Sequence, residues 1–366
     1  MPTCSHVGSG NGTLVYRILS AKLCVGIGLI SYSAYLWHQP ILAFAKMRGV
    51  VGEVSSFTSY ILIVLTFVLA YFSWKFIEIP FRNKDKIGRR KIVTLMSIIG
   101  IAYIFIGLIG TRWNGLDFRY NDEQRYLMSF LNYPREEIYS EGMCFFVSKQ
   151  GFKGFDQECF SQNEEVFLWG DSYAAALSYG LRKRFPDLTQ LTSSGCLPLL
   201  EARISWNPLC ESINDYVFEK VQKRKPSKIL LHANWVRYDE NIIIDHLSET
   251  LLRIRSVSPN SKIVVIGNVP RWKPSLPQIL IRNIPQDETM AYLHNTELVN
   301  IMPMENKLML ISNKEEALFI SPSNILCKDS KCLTAIFNNG LLVPTTWDDG
   351  HLTAEGSMQL AERLFE

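Results

Sequence analysis

The residues best suited to chemistry stand at two distant points of the chain. Gly170, Asp171 and Ser172 follow directly after an apolar run, and Asp348 and His351 stand near the C-terminus. A serine hydroxyl is a weak nucleophile until a base takes its proton, and an imidazole serves as that base when a carboxylate orients it. This combination predicts nucleophilic catalysis, provided that the fold brings the two points together.

Each half of this arrangement is weak evidence for catalysis by itself. Ser172 is predicted to end a strand and begin a helix, where backbone N–H groups face a developing negative charge. The alternative is that Asp171 or Ser172 only caps the helix. Asp348 and His351 are three residues apart before the last predicted helix, where Asp349 is a competing carboxylate and a plain surface turn is the alternative. Together the halves favour Ser172 as nucleophile, His351 as base and Asp348 as orienting acid.

Alternating strands and helices are the elements that would position these residues. The predicted strands are 164–170, 188–192, 228–235, 262–268 and 317–321, and the predicted helices are 174–184, 242–256 and 354–365. Such alternation predicts an α/β/α domain with a parallel sheet covered on both faces. Sites in such sheets form at the carboxyl ends of the strands. Ser172 is therefore predicted to lie at the site edge.

Long apolar segments dominate the first third of the chain. The whole chain is 47% hydrophobic and 20% charged. These values are averages over the apolar first third and a remainder that mixes polar, charged and apolar residues. A helix that crosses a bilayer needs about 20 apolar residues. Three segments meet that length, at about 23–45, 60–79 and 92–111. We expect three transmembrane helices, with buried helices of a soluble core as the alternative.

The loop between the second and third segments predicts the orientation. It reads FRNKDKIGRRK, in which one acidic residue, Asp85, opposes six basic ones: Arg82, Lys84, Lys86, Arg89, Arg90 and Lys91. Short basic loops stay in the cytoplasm, so the chain after Thr111 is predicted to lie outside it. The net charge of +3 is small and no basic stripe is interleaved with aromatic residues, which argues against nucleic acid as a partner.

Six of the eight cysteines form three close pairs in the C-terminal part. They are Cys144 with Cys159, Cys196 with Cys210, and Cys327 with Cys332. Their spacing is not that of a zinc site, and we predict no metal. Short-range pairing indicates loop-closing disulfides in an oxidising compartment, with buried free thiols as the alternative. This agrees with the orientation that the basic loop predicts.

The serine and histidine motifs carry a family resemblance. GDSYA after the first predicted strand and DDGHLT before the last helix resemble the SGNH (GDSL-like) hydrolase family. The resemblance implies an oxyanion hole made by the amide of Ser172, by Gly195 after the second strand and by Asn234 after the third. Trp235 follows Asn234 where the family has a glycine-x-asparagine-aspartate pattern. A packed strand-end asparagine is the alternative reading of Asn234.

The membrane segments resemble a second family. SYSAYLWHQP and FIEIPFR are similar to the last helices of the acyltransferase-3 membrane domain, and the combination with an SGNH domain is similar to O-antigen acetyltransferases. The resemblance implies a lipopolysaccharide-type glycan acceptor, no bound cofactor, and an acyl donor such as acetyl-CoA. It also implies a multi-pass bacterial inner-membrane protein with its C-terminal domain in the periplasm. The early helices of that family have no counterpart here, which predicts a separately encoded N-terminal acyltransferase half.

The expected organisation has three parts. Residues 1–111 form a partial membrane region, 112–163 an irregular periplasmic linker, and 164–366 an SGNH-type, flavodoxin-like α/β/α domain. The expected function is O-acyl transfer, in particular O-acetyl transfer, to a cell-envelope glycan. A periplasmic carbohydrate esterase would use the same residues, and a non-catalytic tail of a split acyltransferase is the remaining alternative.

Overall fold

The computed structural model describes residues 18–47, 56–82, 88–113, 115–147, 151–163, 166–282, 284, 290–294 and 298–365. The chain divides into two compact units, Met1–Asp117 (unit 1) and Phe118–Glu366 (unit 2). The structural division thus follows Asp117, slightly beyond the predicted boundary at 111.

Unit 1 consists of helices. They are α1 (Lys22–Met47), α2 (Ser56–Ser73), α3 (Ile79–Arg82) and α4 (Arg89–Arg112), and a π-helical turn, Trp74–Glu78, joins α2 to α3. Among the described residues, two stretches are long and apolar enough to cross a membrane, Phe57–Arg82 and Arg89–Arg112. Helix α1 has the length, but serine, tyrosine and a His-Gln-Pro run interrupt its apolar residues. Two of the three predicted segments therefore have the length and apolarity of a membrane span.

Glu78 connects parts of unit 1 through its carboxylate. It pairs with Arg82 at 3.2 Å and accepts a hydrogen bond of 3.2 Å from the buried Ser33 of α1. A polar group in an apolar helix is stabilised by such partners. The other basic residues of the predicted cytoplasmic loop include Lys84 and Lys86, which with Asp85 lie outside the described residues.

A six-stranded parallel sheet forms the centre of unit 2. Its strands are β1 (Phe145–Phe146), β2 (Val166–Gly170), β3 (Leu188–Ser193), β4 (Lys228–His232), β5 (Lys262–Ile266) and β7 (Leu318–Ile320), in the order β1-β3-β2-β4-β5-β7. Gly170 at the end of β2 is level with Thr192 of β3 and His232 of β4. A Cβ at Gly170 would lie 1.8 Å from the His232 carbonyl oxygen, so only glycine allows these strands to end so close together.

Helices pack around this sheet. They are α5 (Asp122–Ser129), α6 (Arg135–Tyr139), α7 (Ser172–Arg184), α8 (Cys210–Arg224), α9 (Glu240–Val257), α10 (Leu276–Arg282), α11 (Met302–Lys314), α12 (Pro322–Leu326) and α13 (Ala354–Arg363). One apolar core lies around Trp169, Val217 and Leu247, and a second lies around Leu168, Leu177 and Leu360. Trp169 and Leu168 are neighbours on β2 and point to opposite faces, so the sheet is buried on both sides. This confirms the α/β architecture with a parallel sheet.

Two parts of unit 2 differ from the expectation. A second, antiparallel sheet contains β6 (Met290–His294), β8 (Cys327–Lys328), β9 (Lys331–Asn338) and β10 (Leu341–Pro344). Residues 112–163, predicted to be an irregular linker, contribute α5, α6 and β1, and β1 extends the parallel sheet beside β3. That segment is therefore largely part of the fold of unit 2.

Three disulfides close loops in unit 2. They join the predicted pairs Cys144–Cys159, Cys196–Cys210 and Cys327–Cys332. Closing a loop restricts the unfolded chain and so stabilises the folded state. Cys24 is the free cysteine among the described residues, and Cys4 lies outside them.

The buried His232 makes a prediction about stability at low pH. Burial lowers the pKa of His232 to about 4, although its Nδ1 lies 3.1 Å from the Ile266 carbonyl oxygen. The unfolded chain binds a proton near pH 6.5 while the folded chain stays neutral, so folding stability falls between pH 6.5 and pH 4. We expect this residue to contribute about 3 kcal/mol to that loss.

Urea unfolding of the full chain, followed by tryptophan fluorescence at several pH values, measures this contribution. His232→Gln can still donate to the Ile266 carbonyl but cannot titrate, so its stability should fall less over the same pH range. Identical pH dependence in the two proteins would show that His232 is not the titrating group.

Candidate active site

The fold places Ser172 as the first residue of α7, directly after β2. Asp171 precedes it as the helix cap, and its Oδ1 accepts a hydrogen bond of 2.8 Å from the Tyr173 amide. The capping role considered for Asp171 is thus observed. Ser172 is only partly buried, so its hydroxyl lies at the carboxyl edge of the sheet, near the positive end of a helix.

Ser172, His351 and Asp348 form a continuous hydrogen-bonded chain. The Ser172 Oγ lies 2.8 Å from His351 Nε2, and His351 Nδ1 lies 2.7 Å from Asp348 Oδ2. A proton on Nδ1 held by the carboxylate leaves Nε2 free to accept the serine proton. Residues 179 positions apart therefore have the geometry of a nucleophile, a base and an orienting acid.

The second oxygen of Asp348 fixes the turn that carries the base. Oδ1 accepts hydrogen bonds from the amides of Gly350 at 2.9 Å and His351 at 2.7 Å. Burial opposes ionisation of this carboxyl, but the hydrogen bond and charge of His351 and the two amides outweigh it. The pKa of Asp348 therefore lies below its ordinary value. The carboxylate is thus ionised at neutral pH.

Aromatic residues hold the His351 ring from two sides. Trp347 stacks on it with ring centroids 5.5 Å apart, and the Tyr173 ring lies 4.5 Å away. The Trp347 Nε1 donates to the Tyr139 hydroxyl at 2.6 Å, and that hydroxyl donates to the Leu352 carbonyl at 2.8 Å. Tyr139 belongs to the segment predicted to be a linker, so that segment supports the base. No local pattern in the sequence indicates this role.

Asp349, the competing carboxylate, faces a different partner. It forms an ion pair with Arg271, and its backbone carbonyl accepts from the Trp272 amide at 2.8 Å. Within the part of the chain that the structure describes, Asp348, Asp349 and His351 form one cluster of metal-ligand type, with ligand atoms within 4.8 Å of one another. Each of these side chains already has a partner in the chain, which fits a triad and its support better than an ion site.

Gly195 and Asn234 both line the cavity that contains Ser172. Gly195 has a φ of +63°, a left-handed conformation that glycine adopts without strain. The Asn234 side chain is buried, and its Oδ1 has no hydrogen-bond partner among the described residues. This oxygen can accept a hydrogen bond from a ligand, whereas an oxyanion would be bound by the NH₂ group of the same side chain. The three positions implied for an oxyanion hole thus line one cavity.

Asp171 has a further role that the sequence did not reveal. Its Oδ2 accepts hydrogen bonds from the Asn234 amide at 3.0 Å and from the Tyr238 hydroxyl at 2.9 Å. Burial raises the pKa of the Asp171 carboxyl, and the hydrogen bonds from Tyr173, Asn234 and Tyr238 offset part of this effect. One buried side chain therefore joins the start of α7 to the segment that follows β4.

The cavity around Ser172 measures about 710 Å³, which is large enough for a ligand the size of a small oligosaccharide. Its wall combines aromatic and polar side chains, including Arg135, Tyr139, Trp206, Arg237, Tyr238 and Trp347. A serine-histidine-aspartate chain at the rim of a parallel α/β sheet, open to such a cavity, defines an enzyme of acyl transfer or ester hydrolysis.

The chain belongs to the family of SGNH domains fused to AT3 domains, whose model matches residues 143–366. It is similar to the "O-acetyltransferase OatA" of Staphylococcus aureus (strain NCTC 8325), with 42% identity over 72 residues, 20% of this chain and 12% of that protein. It is also similar to a Staphylococcus aureus (strain COL) protein named "Putative O-acetyltransferase", with 27% identity over 193 residues, 48% of this chain and 30% of that protein. The chain thus spans less than a third of these curated relatives.

A solved structure with a similar fold is the periplasmic domain of a lipopolysaccharide acetyltransferase from Salmonella ser. Paratyphi A. The TM-score is 0.55 with 25% sequence identity, and the match covers 66% of this chain and 98% of that domain. The fold and the family model thus agree on an SGNH-type domain in the C-terminal part of the chain.

Proposed function

We propose that this chain transfers an acetyl group to a hydroxyl of a cell-envelope glycan through a covalent ester on Ser172. The observation that carries the proposal is the hydrogen-bonded chain from Ser172 Oγ through His351 to Asp348, at 2.8 and 2.7 Å. Its relatives named as O-acetyltransferases, and its fold similarity to a lipopolysaccharide acetyltransferase domain, support the reaction class.

In the first half-reaction, the Ser172 Oγ attacks the carbonyl carbon of the acyl donor while His351 Nε2 takes its proton. Asp348 stabilises the imidazolium that forms, because its carboxylate is ionised and bonded to Nδ1. The backbone amides of Ser172 and Gly195 and the Asn234 side chain stabilise the oxyanion. Collapse of the intermediate expels the leaving group with the proton from His351, and the acetyl ester remains on Ser172.

In the second half-reaction, His351 removes the proton of the acceptor hydroxyl, which attacks the Ser172 ester. The ester bond breaks, the acetyl group moves to the acceptor, and the proton returns to the serine oxygen. Water in place of the glycan would give acetate by the same steps, so a carbohydrate esterase is the second candidate. The acceptor that the cavity admits decides between them.

The proposed location is the bacterial inner membrane, with α1, α2 and α4 as three membrane segments and residues 164–366 in the periplasm. Two stretches with the apolarity of membrane spans and three disulfides in unit 2 support this arrangement. Residues 1–111 would belong to an acyltransferase-3 membrane region that takes the acetyl group from a donor such as acetyl-CoA. A separately encoded N-terminal acyltransferase half is a further proposed partner.

The full chain in lipid nanodiscs, given p-nitrophenyl acetate as donor and polysaccharide released from lipopolysaccharide as acceptor, tests the proposal. We expect acetyl esters on the polysaccharide and a matching decrease in free acetate. Acetate formation that is unchanged by polysaccharide would indicate the esterase. Turnover that is equal in the wild type and in Ser172→Ala would indicate a chain without catalytic function.

A further inference from the structure

Trp206 is unusual among the tryptophans of unit 2. Trp169, Trp235 and Trp272 are at most 2% exposed and Trp347 is partly buried, whereas Trp206 is 52% exposed. Its side chain lines the cavity that contains Ser172. A large aromatic surface left in contact with water inside a cleft is typical of a site that packs against a ligand.

The backbone that carries Trp206 is anchored to its neighbours. A tight turn surrounds it, in which the Asn207 amide donates to the Ile204 carbonyl at 3.0 Å and the Asn207 side chain donates to the Ser194 carbonyl at 2.9 Å. The disulfide Cys196–Cys210 closes the loop that carries this turn. A ligand that stacks on a ring carried by an anchored turn orders little additional backbone of the protein.

The Trp206 ring lies directly beside the oxyanion position. A Cβ built on Gly195 would be 3.0 Å from the Trp206 Nε1, so the edge of the indole contacts the glycine that the proposed mechanism uses. On the other side, the Trp206 ring lies 5.5 Å from the ring of Tyr238, whose hydroxyl bonds Asp171. A group stacked on Trp206 is therefore adjacent to the reacting ester.

Two polar groups accompany the aromatic platform. The guanidinium carbon of the exposed Arg237 lies 6.0 Å from the centre of the Trp206 ring. Ser193 lines the same cavity, is 2% exposed, and its Oγ has no hydrogen-bond partner among the described residues. Leaving a buried hydroxyl unpaired costs free energy, so its presence on a cavity wall indicates a ligand that pairs with it.

We infer that Trp206, Arg237 and Ser193 form the acceptor subsite and bind a pyranose ring of the glycan. The inference rests on the proposed acetyl transfer and identifies where its acceptor binds. A pyranose has an apolar C–H face, which stacks on an indole, and a rim of hydroxyls. Those hydroxyls accept from the guanidinium and exchange hydrogen bonds with the serine. The flat ring of Trp206 and its polar neighbours match both surfaces.

Steady-state kinetics of the full chain distinguish a role of Trp206 in acceptor binding from a role in the chemical step. With lipopolysaccharide-derived polysaccharide as acceptor, Trp206→Ala should raise KM about tenfold or more and change kcat by less than about threefold. Hydrolysis of p-nitrophenyl acetate needs no acceptor and should change far less than transfer does. Trp113→Ala is the matched control, because Trp113 is 51% exposed and lies in unit 1. Arg237→Ala and Ser193→Ala should raise KM by smaller factors.

Binding of the same polysaccharide to Ser172→Ala tests the subsite without any turnover. Adding Trp206→Ala to that chain should weaken the measured Kd about tenfold or more. Equal binding with and without Trp206 would overturn the inference, as would polysaccharide binding to neither protein. A Trp206→Ala chain that loses small-ester hydrolysis as strongly as transfer would show that the indole only supports the Gly195 loop. If small-ester hydrolysis persists in Ser172→Ala, the proposed function fails. This result is distinct from those that overturn the acceptor subsite.

Discussion

Replacing Ser172 by alanine should lower the hydrolysis of small acetyl esters by about ten-thousandfold or more. The Oγ of Ser172 is the atom that forms the covalent ester, and it is the atom that contacts His351 Nε2 at 2.8 Å. Without it, His351 Nε2 loses the hydroxyl that contacts it among the described residues. The residual rate should approach that of the oxyanion hole acting on water alone.

The measurement is the initial rate with p-nitrophenyl acetate, using the full chain in detergent and matched protein amounts. Alanine at the first position of α7 leaves the Asp171 cap and the buried helix face intact, so the circular dichroism spectrum should be unchanged. Ser256→Ala is the control, since Ser256 is an exposed serine whose hydroxyl bonds the Arg253 carbonyl within α9. A Ser172→Ala rate within tenfold of the wild type would contradict the assignment of the nucleophile.

Replacing Asp348 by asparagine should lower the same rate by about a thousandfold or more. Asparagine can keep the bonds from the Gly350 and His351 amides through its oxygen. Its NH₂ group then faces His351 Nδ1, which favours the tautomer with a proton on Nε2 and prevents that atom from accepting the serine proton. The imidazolium of the transition state also loses the charge that stabilises it.

Asp349→Asn is the matched comparison, because the two residues are adjacent and differ in what they contact. Asp349 pairs with Arg271, whereas Asp348 contacts His351. We expect Asp349→Asn to lower the rate by less than about tenfold, through a looser turn rather than a lost catalytic contact. Initial rates of both variants measure this difference, and an equal or larger loss in Asp349→Asn would reverse the assignment of the acid.

The residues proposed for catalysis could be selected from sequence because local patterns mark each of them. Ser172 follows an apolar strand and a glycine, and His351 follows Asp348 at a spacing that one turn can satisfy. The cysteine pairs are separated by at most 15 residues, which made Cys144–Cys159 and the other bridges predictable. In each case the deciding interaction lies within a short segment or at the predictable edge of a parallel sheet.

Features that depend on distant contacts were missed for a physical reason. Tyr139 supports the base through hydrogen bonds to Trp347 and Leu352, more than 200 residues away, and no local pattern marks it. The same is true of Asp171, whose cap role is local but whose bonds to Asn234 and Tyr238 span more than 60 residues. Segment 112–163 was read as irregular because its helices are short and its strand has two residues.

The central claim is that acetyl groups pass through an ester on Ser172. The most direct test is acid quenching of the wild-type full chain during turnover of p-nitrophenyl acetate without glycan, followed by proteolysis and tandem mass spectrometry. We expect one acetyl group on the peptide that contains Ser172, removed when polysaccharide is added before the quench. An acetyl group on a different residue, together with undiminished turnover in Ser172→Ala, would contradict it.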